Sequence, residues 1–156
     1  MRTVTDRATT DTAMKHQRVK KGAPYPIPTI CEYCESPVVF ASNAEVYGRK
    51  YGNGMCYKCT ACDSYVGVHN GTKEPLGRLA NKELRTLKVE CHNLFDPIWK
   101  GPYKTLQRTA AYTKLAELLG IRYHECHFGW FDKAMLLRCI EILEDPDWWV
   151  RKAEQA

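Results

Sequence analysis

The chain has 156 residues, a net charge of +5 with histidine neutral, and 44% apolar residues. That is one domain's worth of chain, enough to bury about two-thirds of the unfolded surface. Met1–Lys21 lacks the apolar centre of a secretory leader and no later run approaches a membrane span, so secretion and membrane insertion are set aside and a cytoplasmic protein is expected.

The positive charge gathers at the N-terminus. Met1–Pro24 carries Arg2, Arg7, Lys15, Arg18, Lys20 and Lys21 against Asp6 and Asp11, while the remaining chain holds 17 basic and 16 acidic residues. Rich in Thr and poor in large apolar side chains, this segment has little to bury and is expected to be a flexible basic tail over residues 1–24. Residues 25–156 are expected to form a single domain. Ala23-Pro24-Tyr25-Pro26-Ile27-Pro28 stiffens the approach to its first element.

Two C-x-x-C knuckles follow, Cys31/Cys34 and Cys59/Cys62. Two thiolates two residues apart reach one metal ion from a tight turn, and a second such pair completes the tetrahedral four-sulfur shell of structural zinc. A closed shell leaves no position for a substrate, so the expected Zn2+ builds the fold and performs no chemistry. Cys56 precedes the second knuckle in a C-x-x-C-x-x-C string. Pairing with Cys56/Cys59 leaves a spacer of 21 residues and pairing with Cys59/Cys62 one of 24, both above the usual ~15–20. Cys59/Cys62 is preferred because Thr60-Ala61 and Asp63-Ser64 suit a turn leading into a strand, and Cys56 then reads as a strand residue. A disulfide framework is the competing use of these thiols, and a reducing compartment disfavours it.

Between and after the knuckles, Val38–Phe40 and Glu45–Tyr47 read as short β segments around the turn Ser42-Asn43. The alternating Val66 and Val68 give another strand over Tyr65–His69. The period then changes from strand to helix. Leu84, Leu87, Cys91 and Leu94 line one face of a helix capped by Asn81 and stopped by Pro97. A second helix, from about Thr105, turns Ala111, Leu115, Leu118 and Leu119 inward and ends at Gly120. A third, capped by Asp132, turns Leu136, Cys139, Ile140 and Leu143 inward before Pro146. On these faces Cys91 and Cys139 read as small core residues. The expected architecture is α+β: a thin zinc-ribbon-like sheet that needs its metal, then about three packed helices.

A set of short strings runs along the chain: Cys31–Cys34 with Pro37-Val38-Val39, Val46-Tyr47-Gly48 and Tyr51-Gly52, and Cys59–Cys62 with Tyr65-Val66-Gly67-Val68-His69. It continues through Pro75-Leu76-Gly77, His92, Phe95-Asp96-Pro97 and Trp99 to Cys126-His127-Phe128-Gly129 and Phe131-Asp132. Over about residues 30–143 this set resembles the zinc-finger-containing domain family of bacteria and their phages. The resemblance implies a small intracellular bacterial or phage protein that holds zinc, and it favours Cys59/Cys62 as the second ligand pair.

Three functional readings follow. Nucleic-acid binding leads: Arg49, Lys50 and Tyr51 join charge to a stacking ring between the knuckles, and Lys104, Arg108 and Tyr112 at four-residue steps would share a helix face. The basic tail would add phosphate contacts. Capture of a host or phage protein is the second reading, with Trp130-Phe131 and Trp148-Trp149 as interface anchors unless the last pair folds back onto the core. The third is a metal-dependent hydrolase or nuclease, in which His92 and Asp96, four apart on one helix, converge with His69, His127 and Asp132. For this reading no catalytic signature such as H-E-x-x-H or a P-loop is present, Asp132 equally fits a helix cap, and adjacent Cys126 and His127 do not face one another as a nucleophile and base would.

Overall fold

The computed structural model describes residues 22–49 and 54–152. Three antiparallel strands form a meander: β1 (Val38–Ser42), β2 (Met55–Cys59) and β3 (Tyr65–Gly67), in the order β1-β2-β3. The register pairs Val38 with Cys59, Phe40 with Tyr57 and Tyr57 with Val66. Side chains alternate across a strand, so Val38, Phe40, Met55, Tyr57, Cys59 and Val66 share one face. These residues, with Cys31, Val68 and Leu79, form a small apolar cluster. Phe40 and Tyr57 meet there at 5.0 Å between ring centroids.

Glu45–Tyr47 is not a strand. Ala44–Tyr47 forms a single helical turn, α1, closed by Gly48 in the left-handed conformation at φ 86°. The partner of β1 is β2, and the Asn43 N–H bonds Gly54 O at 2.8 Å to shut the connecting loop. β-favouring Val46 and Tyr47 are overruled by a cross-strand pairing that leaves no neighbour for them.

The longer helices are α2 (Lys82–Phe95), α3 (Arg108–Leu119) and α4 (Lys133–Leu143). Asn81 caps α2 by accepting from the Leu84 N–H at 2.9 Å, and Asp132 caps α4 by accepting from the Met135 N–H at 3.0 Å. α3 starts three residues later than expected, because the Thr105 and Leu106 N–H groups both turn back to Ile98 O. It ends at Gly120, φ 75°. These helices pack chiefly on one another around Phe95, whose ring meets Tyr112 at 4.7 Å, Phe128 at 5.4 Å and Trp148 at 5.7 Å. Cys91 and Cys139 are buried in this core.

The two halves join through residues 76–80. The Ala80 N–H and O pair with Tyr65 of β3, while the Arg78 N–H bonds Gly129 O at 2.7 Å. At Gly77 a Cβ would overlap Gly129 O, so the backbones approach more closely there than any side chain allows. From α2, Arg85 lies over the Tyr65 ring at 4.3 Å and donates to Asp63 O and Ala80 O.

Candidate metal centre and the adjoining cleft

The first knuckle is a tight turn in which the Glu35 N–H bonds Cys31 O at 2.8 Å and the Cys31 N–H bonds Ser36 O at 2.9 Å. The second leaves the end of β2, where the Cys59 N–H bonds Ser64 O at 2.9 Å. Together they bring the Sγ atoms of Cys31, Cys34, Cys59 and Cys62 within 4.8 Å of one another. Cys31 Sγ lies 3.6 Å from Cys62 Sγ, and Cys34 Sγ 3.4 Å from Cys59 Sγ. A tetrahedron with Zn–S bonds of about 2.3 Å has edges of roughly 3.8 Å, so the four sulfurs match the donor set and size of a zinc site. All eight cysteines are free thiols, none joined in a disulfide.

The surroundings favour thiolate. Backbone N–H groups point at the sulfurs, Tyr33 to Cys31 Sγ at 3.4 Å and both Ala61 and Cys62 to Cys59 Sγ at 3.3 Å. The Cys62 N–H is the main cause that holds the Cys59 thiol below its usual pKa. Ser64, fully buried, places Oγ 3.1 Å from Cys62 Sγ; its hydroxyl donates to a Cys62 thiolate and orients it. Cys31 and Cys59 are buried and Cys34 is exposed, so one edge of the site faces solvent. Cys56 lies one β2 position away from the alternation of Tyr57 and Cys59, opposite Gly67, and therefore projects from the other face of the sheet.

A short network ties the knuckle to the helical half. Between Cys31 and Cys34, Glu32 accepts from Arg78 Nη1 through both carboxylate oxygens at 3.1 Å. Arg78 Nε donates to Trp130 O at 3.4 Å, and the Tyr33 hydroxyl donates to Leu79 O at 2.9 Å.

Where the halves meet, a cleft of about 420 Å³ opens between the loop after β3, the first turn of α3 and the segment 123–130. His69, Glu74, Arg108, His124 and His127 line it, with Tyr25, Tyr123 and Trp130 among its aromatic walls. His127 donates from Nε2 to His124 O at 2.9 Å; facing a carbonyl, that nitrogen carries the proton. Its ring lies 4.5 Å from Trp130, which in turn lies 5.5 Å from Tyr25. Burial first, then Arg108, His124 and His69, push the His127 pKa below the usual histidine value. Gly22, Ala23 and Pro24, placed in the tail by composition, also line the cleft.

The sequence-derived site residues fall in separate places. His69 and His127 meet at the cleft, joined by His124. His92 and Asp96 pair with each other at 3.3 Å, and the His92 ring packs edge-on against Phe128 at 4.9 Å, away from the cleft lining. Asp132 is a helix cap. Among the described residues the four cysteines are the one cluster of His, Cys, Asp or Glu able to hold a metal. Cys126 is buried, which pushes its thiol up to about 12, far from a nucleophile's range. Lys104 is exposed in the loop before α3 and does not share a helix face with Arg108. Arg108 does reach Tyr112, 4.8 Å above its ring, and Trp99 at 5.2 Å. Arg49 is exposed beyond α1; Lys50 and Tyr51 lie outside the described residues, as do residues 1–21. Trp148 is buried in the helical core, so it is a packing residue and no interface anchor.

Ser64, Arg78, Tyr123 and His124 were not singled out from the sequence. Ser64 alone had a local signal, two residues beyond a candidate ligand. Among the described residues no helix is long and apolar enough to cross a membrane. A family model described as a zinc-finger-containing domain matches residues 27–146. No curated protein and no solved structure matches the chain.

Proposed function

The chain belongs to the zinc-finger-containing domain family, and from that premise we propose that it is a nucleic-acid-binding module whose zinc, held by Cys31, Cys34, Cys59 and Cys62, maintains the fold and performs no chemistry. The observation that carries this reading is the stretch Pro97–Ala116. It contains Lys100, Lys104, Arg108 and Lys114 and no acidic residue, in a chain whose other residues beyond Pro24 are close to charge balance. Its loop projects Tyr103, 93% exposed, with exposed Lys100 and Lys104 on either side.

The loop feeds directly into α3, whose first turn has Arg108 and no acidic residue. A cation at a helix N-terminus opposes the helix dipole by about 0.3–1 kcal/mol, and a bound phosphate removes that conflict. Lysines and arginine beside an exposed ring are the two ingredients of single-strand binding: phosphate neutralisation, and base stacking worth about 1–3 kcal/mol per base. Arg49 supplies a further exposed cation near the sheet. Gly22–Pro24 line the cleft that Arg108 lines, and the basic residues of the N-terminal segment precede them in the sequence. On this reading residues 25–156 act as one domain, and the N-terminal segment is an electrostatic arm.

Fluorescence anisotropy of labelled single-stranded and duplex DNA and RNA, titrated with the zinc-loaded chain across a salt series, tests the reading. Affinity should fall linearly on logarithmic axes. The Lys100→Ala/Lys104→Ala double variant should lower the slope by about 1.5, as expected for two lost phosphate contacts. A slope unchanged by that double substitution, or no binding at low salt, overturns the reading.

A further inference from the structure

We propose that the cleft between the sheet half and the helical half is a site for one unpaired nucleotide, with the phosphate on Arg108 and the imidazoles and the base against the exposed face of Tyr123 and the Trp130 wall. This rests on the nucleic-acid reading and narrows it from a charged surface to a single-stranded ligand held one unit deep.

Four observations converge. The cleft, about 420 Å³, falls in the ~300–1,000 Å³ range of ligand sites. Its lining sets one guanidinium and three imidazoles, each able to donate a hydrogen bond to phosphate, against a single carboxylate, Glu74, among the described residues. Arg108 is not a freely moving surface cation: the rings of Trp99 and Tyr112 hold its guanidinium at 5.2 and 4.8 Å, which preorganises it for a phosphate. Tyr123 is half exposed on its short helical turn, and the Trp130 ring is held in contact with the rings of Tyr25 and His127. A base has two faces to stack and a phosphate to neutralise, and the cleft offers both kinds of wall side by side. A duplex keeps its bases stacked inside and cannot enter. Glu74 gives the ribose hydroxyls or an exocyclic amine an acceptor.

The site also predicts a proton linkage. His127 faces Arg108 from α3, His69 and Glu74 from the loop after β3, and His124 from its own turn. With its proton on Nε2 and its pKa held low, the free ring is neutral; a phosphate in the cleft favours the imidazolium. Affinity for a phosphodiester, whose own phosphates do not titrate near neutrality, therefore rises as pH falls toward the usual histidine value of about 6.5.

The test uses the full zinc-loaded chain, with 5′-mononucleotides, short single strands, a duplex, inorganic phosphate and a phosphotyrosine peptide as probes, followed by NMR and calorimetry. Mononucleotides should shift the Tyr123, His127 and Trp130 signals. Arg108→Gln should weaken single-strand and mononucleotide binding about tenfold. Tyr123→Ala should weaken mononucleotides while leaving inorganic phosphate unchanged, and His127→Gln should flatten the pH dependence. Zinc content and circular dichroism of each variant show that the fold is retained. Binding confined to duplex and indifferent to Arg108→Gln overturns the cleft assignment and leaves the nucleic-acid function standing. Inorganic phosphate or the phosphopeptide binding as tightly as a mononucleotide also overturns it, since the base would then contribute nothing. No nucleic-acid binding of any kind at low salt removes both.

Discussion

The sheet half and the helical half are held together on different scales and by different means. Among the described residues the sheet's apolar cluster has six buried members, two of them the cysteines Cys31 and Cys59, and the helical cluster has nineteen, with Phe95, Leu115, Phe131 and Leu136 fully buried. Strands of five, five and three residues cannot offset the entropy of ordering their own backbone, about 1–2 kcal/mol per residue. Metal ligation supplies what burial does not. The helical half has the three-turn elements, caps and aromatic centre that make an ordinary core sufficient. A cleft lined from both sides thus has one wall that depends on metal and one that depends on packing.

The largest expected effect separates those dependences. Structural zinc contributes on the order of 10–16 kcal/mol of apparent binding free energy in small zinc-finger units at neutral pH. Cys59→Ser, or chelation of the wild type, should therefore unfold the sheet half. Hydrogen exchange should show β1–β3 losing protection while α2 and α4 keep most of theirs, and far-UV circular dichroism should retain the helical signal. Simultaneous loss of all protection would break the comparison and make the molecule one cooperative unit. Cys56→Ser, on the opposite sheet face, should leave the zinc content unchanged.

The reciprocal perturbation is Phe95→Ala. Its ring is at the centre of an aromatic cluster with Tyr112, Phe128 and Trp148, and truncating a buried Phe costs about 3–5 kcal/mol. Denaturant titration should show that loss in the helical transition, with one zinc per chain retained in native buffer. Zinc release on this substitution would show that the sheet leans on the helical core.

Which parts of this were legible in the sequence follows the range of the interactions. The knuckles, the Asn81 and Asp132 caps and the Gly120 stop are decided within four residues, so local spacing together with turn and cap chemistry exposes them. Glu45–Tyr47 reads as a strand because Val46 and Tyr47 fit one locally; the pairing that excludes them is made by Met55–Cys59. Trp148 offered an interface anchor by composition, and only its contact with Phe95, over fifty residues away, shows it to be core. The cleft was least accessible of all, since His69, Arg108 and His127 come from three separated segments. His69 and His127 were named without their neighbour His124, while His92 and Asp96, joined to them by residue type, face elsewhere. Lys104 and Arg108 share a four-residue step, yet the Thr105 and Leu106 turn to Ile98 ends any helical relation between them.

The smallest expected effect concerns the link between the halves. Glu32 and Arg78 are 44% and 24% exposed in their side chains, so solvent screens the pair and its contribution should be about 0–1 kcal/mol. Glu32→Gln should therefore shift the denaturation midpoint only slightly, and that shift should shrink at about 1 M salt, where the screening length is roughly 3 Å. The junction would remain, because the Arg78 N–H still bonds Gly129 O and the Gly77 backbone still packs directly against it. Backbone contacts of this kind fix where the two walls of the cleft stand without making the stability of one half depend on the other. A loss of several kcal/mol, undiminished by salt, would instead show that the knuckle and the helical half communicate through this ion pair, and that zinc occupancy governs the shape of the cleft.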